Sequence, residues 1–125
     1  AITPHDTFYL DDGSVEVVCG MILFRVHTST LSFHSPVLRR MLSPANLTAA
    51  ESPNGCPRIV SSDTSVDFVT LLKAIYLPGF PERNKVPDFS TFSSLLRVST
   101  KYEMPNLRAQ LLETIYNAYP ENFEA

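Results

Sequence analysis

His27 and His34 lie within a few residues of Ser29, Ser32 and Ser35, the one stretch where hydroxyls and a possible base are close neighbours in sequence. Nucleophilic catalysis would need one of these hydroxyls within hydrogen-bond reach of an imidazole that a third group orients. Serines beside Pro36 are ordinary helix caps, however, and no Gly-x-Ser-x-Gly elbow occurs. A hydrolase using Ser35 or Ser32 with a histidine is therefore the remote alternative, and no catalytic residue is expected. His5, His27 and His34, with Cys19 and Cys56, show neither Cys-x-x-Cys nor His-x-x-x-His spacing, so no metal site is expected. Asp11-Asp12-Gly13 is turn chemistry rather than an acid/base pair. The 4 glycines are not clustered, which leaves no phosphate cradle and no expected cofactor.

The elements that would position these residues follow from periodicity. Val15, Val17 and Cys19 alternate as one strand, Gly20-Met21 turns the chain, and Ile22 to His27 returns antiparallel. The period changes at Thr28, where Thr28, Ser29 and Thr30 offer capping oxygens. Leu31, Leu38 and Leu42 then recur at helical spacing, and Ser35-Pro36 divides the run into two short helices, about 28–34 and 36–42, with Ser35 capping the second. Ser43 to Pro57 has no period and reads as a loop. Arg58 to Ser62 is a short third strand. Asp63, Thr64 and Ser65 cap the clearest helix, in which Phe68, Leu71, Leu72, Ile75 and Tyr76 form one stripe ended by Pro78-Gly79. Phe80 to Pro87 is a connector. A helix begins at Asp88 or Ser90 with Phe92, Leu95, Leu96, Ser99 and Tyr102 on one face. Pro105 opens the last helix, which buries Leu107, Leu111, Thr114, Ile115 and Ala118.

A chain of 125 residues suits one domain with one core. A net charge of −3, with Arg39-Arg40 as the best basic cluster, excludes a nucleic-acid surface. Cys19 and Cys56 permit one disulfide at most and are expected as free thiols in a reducing compartment. No apolar run approaches a membrane span, and no signal-peptide pattern opens the chain, so a cytoplasmic or nuclear protein is expected. Residues 1–7 read as a loose arm. The triplet Phe8, Tyr9 and Leu10 is either an edge segment packed on the core or a self-association contact.

The ordered set Phe24, His27, Leu31, Ser35, Leu38, Met41 and Leu42 resembles the BTB/POZ domain, with Leu42 where that family usually has Phe. Phe68, Leu71, Leu72, Tyr76 and Gly79 resemble its Phe-x-x-Leu-Leu-x-x-x-Tyr helix and the turn after it. Leu95, Leu96, Ser99, Tyr102, Met104 and Leu107 resemble its closing pattern, with Ser99 in place of Ala and Leu111 in place of Cys. The resemblance implies an α+β fold in which a short three-stranded sheet packs against about five helices. It divides the chain into an arm (1–14), a domain (15–119) and a tail (120–125). It gives His27 a structural role, its ring bonding locally at the strand-to-helix corner.

The function implied by the resemblance is protein-protein interaction: homo-oligomerisation, such as a homodimer, or recruitment of a cullin-type ubiquitin-ligase scaffold or a transcriptional regulator. The alternative is a monomeric Skp1-like adaptor. Only about ten residues precede the first strand, too few for the exchanged helix of dimeric members. Ser14 stands where corepressor-binding members carry Asp, so that pocket is not expected. Phe80 and Glu82, in Phe80-Pro81-Glu82, are the candidates for a cullin-binding element of the hydrophobic-x-Glu kind. The compact form resembles BTB domains of fungal proteins.

Overall fold

The computed structural model describes residues 1–47 and 55–122. The chain runs through strand β1 (Thr3–Tyr9), the hairpin β2 (Val15–Cys19) and β3 (Ile22–Val26), and helices α1 (Thr28–His34) and α2 (Pro36–Met41). Strand β4 (Arg58–Ser61) and helices α3 (Ser65–Tyr76), α4 (Phe89–Lys101) and α5 (Pro105–Ala118) follow. Fold class, hairpin and helix order are as expected from the sequence. The middle of the expected 43–57 loop lies outside the described residues, and its start forms a single 3-10 turn, Pro44–Asn46.

The sheet has four strands in the order β1-β3-β2-β4, not three. The extra strand is the segment expected as a loose arm: Thr3 and Pro4 lie beside Ile22 and Leu23, parallel to β3, and after an irregularity Tyr9 lies beside Arg25. Its polar residues hid it from periodicity, because an edge strand buries little of its surface. Only Phe8 of β1 is buried.

Alternation along β2 and β3 sends Val15, Val17, Cys19, Phe24 and Val26 to the inner face, against Leu31, Leu38, Phe68, Leu71, Leu72 and Tyr102 of the helices. Phe24 and Phe68 meet with ring centroids 5.0 Å apart, and the His5 ring stacks on Phe24 at 5.0 Å. The outer face carries Glu16, which is 1% exposed although charged. Arg58, in register with it on β4, covers it through Nε at 2.9 Å and an Nη at 2.7 Å. Tyr9 on β1 donates its hydroxyl to the other oxygen at 3.3 Å.

Side chains cap the starts of α2 and α3. The Ser35 hydroxyl accepts the Leu38 N–H at 3.0 Å and donates to the Tyr102 carbonyl at 2.6 Å. Thr64 caps α3 by accepting the Asp67 N–H. The expected caps Thr28, Ser29 and Thr30 do not cap α1: its N-cap is His27, without a side-chain bond. Tertiary partners satisfy the orphan donors instead, the Ser14 hydroxyl taking the Thr28 N–H at 3.0 Å and the Tyr76 hydroxyl the His27 N–H at 2.9 Å. Gly13 before β2 is required by close approach, since a Cβ there would lie 2.7 Å from the Arg25 side chain.

Helices α3 and α4 are clamped by Asp67, which takes two Arg97 bonds at 2.9 Å and the Ser94 hydroxyl at 2.7 Å. Helix α4 then ends in a tight reversal. The Met104 N–H returns to the Ser99 carbonyl, and Glu103 takes the left-handed conformation at φ 52°.

Two stability predictions arise here. Ser35→Ala removes a cap and strands the Tyr102 carbonyl, so urea denaturation is expected to show a loss of about 2 kcal/mol. The Arg97 bonds hold the Asp67 carboxyl below its ordinary value, with burial opposing and Ser94 assisting. A depressed folded-state value stabilises above the unfolded carboxyl pKa, and this contribution is lost as pH falls through the folded value. Urea midpoints measured over that acidic range are expected to fall more steeply for the parent chain than for Asp67→Asn.

Candidate functional site

Ser35 and His27, two of the residues with catalytic potential, are committed to structure. Ser35 is 1% exposed, with its hydroxyl engaged by two backbone groups. The His27 ring does not bond locally as expected: Nδ1 meets the Tyr76 hydroxyl of α3 at 2.9 Å, and Nε2 meets Asp12 at 3.0 Å. The Tyr76 oxygen accepts the His27 backbone N–H. The assignment that satisfies all three groups has the phenol donating to Nδ1 and the Nε2 proton donated to Asp12. Burial pushes the Tyr76 phenol above its ordinary value; the His27 backbone bond opposes this and the Asp12 charge adds to it. The phenol is thus a neutral link between the β3–α1 corner and the end of α3. His34 is exposed, 3.0 Å from the Thr30 carbonyl, and His5 lies on the sheet beside Phe8. The three histidines share no centre, and among the described residues no group of three or more His, Cys, Asp or Glu side chains is placed to hold a metal.

Cys19 and Cys56 are both buried and free, in accord with the sequence reading. Burial pushes the Cys19 thiol up to about 11, with the Ser61 bond opposing. It is a packed core thiol rather than a nucleophile.

The feature with the character of a site is a groove of about 700 Å³ where α1, the end of α3 and α5 converge. Phe33, Phe80, Pro81, Met104 and Leu107 supply its apolar lining, and His34, Arg83, Gln110 and Glu113 add polar groups. Phe33 belongs to the last turn of α1 but points away from the buried side of Leu31 and is 85% exposed. Phe80 follows the turn closed by its N–H on the Leu77 carbonyl, where Gly79 has φ +85°. Lys73 sits 5.8 Å over its ring. Gln110 reaches from α5 to the Pro81 carbonyl at 3.2 Å, fixing the connector against the last helix.

Phe80 lines the groove and, with Pro81, also lines an adjoining cleft together with Glu82, which is exposed beside Lys85 at 3.9 Å, and with Val86 and Pro87. Phe33, Met104 and Leu107 were not singled out as a surface by the sequence. Phe33 left a signal, an aromatic residue off the apolar stripe of its helix; Met104 and Leu107 read as core positions. The proposed contact Phe8, Tyr9 and Leu10 is corrected at Phe8, which is 3% exposed and packs on Tyr76 with centroids 5.9 Å apart. Its alternation in β1 turns it inward, while Tyr9 is drawn to Glu16 on the outer face.

A protein-family model described as BTB/POZ domain matches residues 11–118. No curated protein matches the chain.

Tyr76→Phe deletes the group that serves both the His27 N–H and its ring, and is expected to cost about 1–3 kcal/mol in urea denaturation. Asp12→Ala, at a side chain 85% exposed, is expected to stay within about 0.5 kcal/mol of the parent.

Proposed function

The chain belongs to the BTB/POZ domain family, and on that premise we propose that it recruits a partner protein through the groove between α1 and α5. The family is one of protein-protein interaction modules rather than enzymes. The observation that carries the proposal is the groove itself, in which apolar side chains are interspersed with a larger share of polar surface and flanked by an aromatic side chain that the fold leaves exposed. This is the anatomy of a protein-binding surface. An exposed aromatic at such a place is a natural anchor, since burying Phe33 against a partner would contribute about 1.5–3 kcal/mol.

The partner proposed is a cullin-type ubiquitin-ligase scaffold presenting a helix whose apolar side enters beside Phe33, Phe80 and Met104. His34, Gln110 and Glu113 would meet its polar flanks. The cellular setting proposed is cytoplasmic or nuclear, supported by two buried cysteines that remain thiols.

The test is calorimetric titration with the purified N-terminal region of a cullin. Saturable binding is expected, and Phe33→Asp is expected to weaken it about tenfold or more while leaving the thermal transition unchanged, because Phe33 is exposed. No heat of binding with the parent chain would remove the cullin. Binding indifferent to Phe33→Asp would remove the groove.

A further inference from the structure

Four of the ten prolines follow a serine or threonine: Thr3-Pro4, Ser35-Pro36, Ser43-Pro44 and Ser52-Pro53. A residue before proline is held out of the helical region, which presets the extended backbone that an enzyme modifying its hydroxyl must grip. The four differ in their surroundings. The Ser35 hydroxyl is buried and spent on the Leu38 N–H and the Tyr102 carbonyl. Thr3 is held in β1, its N–H on the Met21 carbonyl at 2.8 Å, and no arginine or lysine precedes it. Ser52 lies outside the described residues. Ser43 alone has arginines within four residues upstream, Arg39 and Arg40.

Ser43 follows the end of α2 in an extended conformation, φ −66° and ψ 152°, and leads into Pro44, Ala45 and Asn46, all exposed. Its N–H returns to the Arg40 carbonyl at 3.3 Å, which keeps it at the end of the last turn of α2, three and four residues beyond Arg40 and Arg39. The half-buried hydroxyl accepts the Asn46 side-chain amide at 3.3 Å, and that amide also bonds the Arg40 carbonyl at 2.8 Å. Among the described residues the Ser43 hydroxyl proton has no acceptor. Both arginines are exposed. Among the described residues Arg39 takes part in no ion pair, and Arg40 meets only Glu103, at 3.7 Å, with both side chains more than half exposed. A contact so open to water is worth little, so both guanidiniums are available to a stronger anion.

We propose that Ser43 is a phosphorylation site for a proline-directed protein kinase acting with ATP, and that Arg39, Arg40 and the Asn46 amide hold the phosphate. The Ser43 Oγ attacks the γ-phosphorus of ATP. The Oγ–P bond forms, the bond from that phosphorus to the bridging oxygen breaks, ADP leaves, and the hydroxyl proton passes to the base of the kinase. The new group carries about −1.5 to −2 charges and three acceptor oxygens. Arg40 exchanges Glu103 for the phosphate, and the basic face at the end of α2 becomes close to neutral. The last carbonyls of α2 oppose an anion there, but α2 has only six residues and its dipole is outweighed by charge-assisted arginine bonds. Ser43, Arg39 and Arg40 do not line the groove, so this inference stands apart from the proposed partner.

The test treats the folded chain with ATP and a purified proline-directed kinase. Incorporation of phosphate at Ser43 is expected, mapped by tandem mass spectrometry, and Ser43→Ala is expected to remove it while circular dichroism shows the fold retained. Phosphorus NMR of the modified chain then reads the environment of the phosphate. Nearby cations favour the dianion, so its second ionisation is expected about half a unit below the value of about 6 for an unconstrained phosphoserine. Arg39→Gln with Arg40→Gln, at two exposed positions, is expected to return it toward that value, a shift that a merely accessible serine would not show. Phosphate on Thr3 or Ser52 with none on Ser43, no incorporation at all, or an ionisation indifferent to the arginine substitutions would each overturn the proposal.

Discussion

Tyr102 is the residue on which the arrangement of the helices depends. It is fully buried at the end of α4. Its carbonyl receives the Ser35 hydroxyl from the break between α1 and α2, and its phenol donates to Asp63 at the junction of β4 and α3. Lys101 and Ser61 also bond Asp63, so its carboxylate is shared among three donors or near donors from two elements. Burial, and then the bond to Asp63, push the phenol far above its ordinary value, which keeps it a neutral donor. A buried polar group without a partner is costly, so these bonds select the one packing in which all of them form. That packing sets the point at which α4 turns into α5, and hence where α5 stands relative to α1.

The sheet is constrained by a polar pair instead. Its inner face is defined by apolar alternation, which a hairpin alone could satisfy. Its outer face carries Glu16, deprived of water and matched by Arg58 from a strand that arrives much later in the chain. A one-residue slip of β4 would turn Arg58 toward the core and leave Glu16 buried without its cation. The ion pair therefore specifies the register of β4 and, through the short link to Asp63, the start of α3.

The groove arises where these constraints meet. None of its walls is a motif: α1 contributes its last turn, α3 the connector beyond its end, and α5 its first two turns. What makes it a surface is that Phe33 lies off the buried stripe of a helix too short to bury two sides. A fold that commits Ser35, His27 and both thiols to cap, corner and core leaves this groove open at its surface.

The sequence by itself determined the elements whose information is local. The hairpin followed from alternation, the α1–α2 break from Ser35-Pro36, α3 from its stripe and its Thr64 cap, and the family from residues spaced over most of the chain. The roles of Ser35 as a cap and of Tyr102 as a buried residue were equally legible. Only the tertiary structure decided the partners. His27 bonds to Tyr76 rather than to its neighbours, Asp63 serves Tyr102 rather than capping α3, Glu16 is buried, and Thr3–Tyr9 is a strand with Phe8 inside. The physical reason is common to all four. Periodicity and capping express interactions within one helix or between adjacent residues, whereas an edge strand, a buried charge or a satisfied phenol depends on a group supplied from elsewhere in the chain once the core has closed.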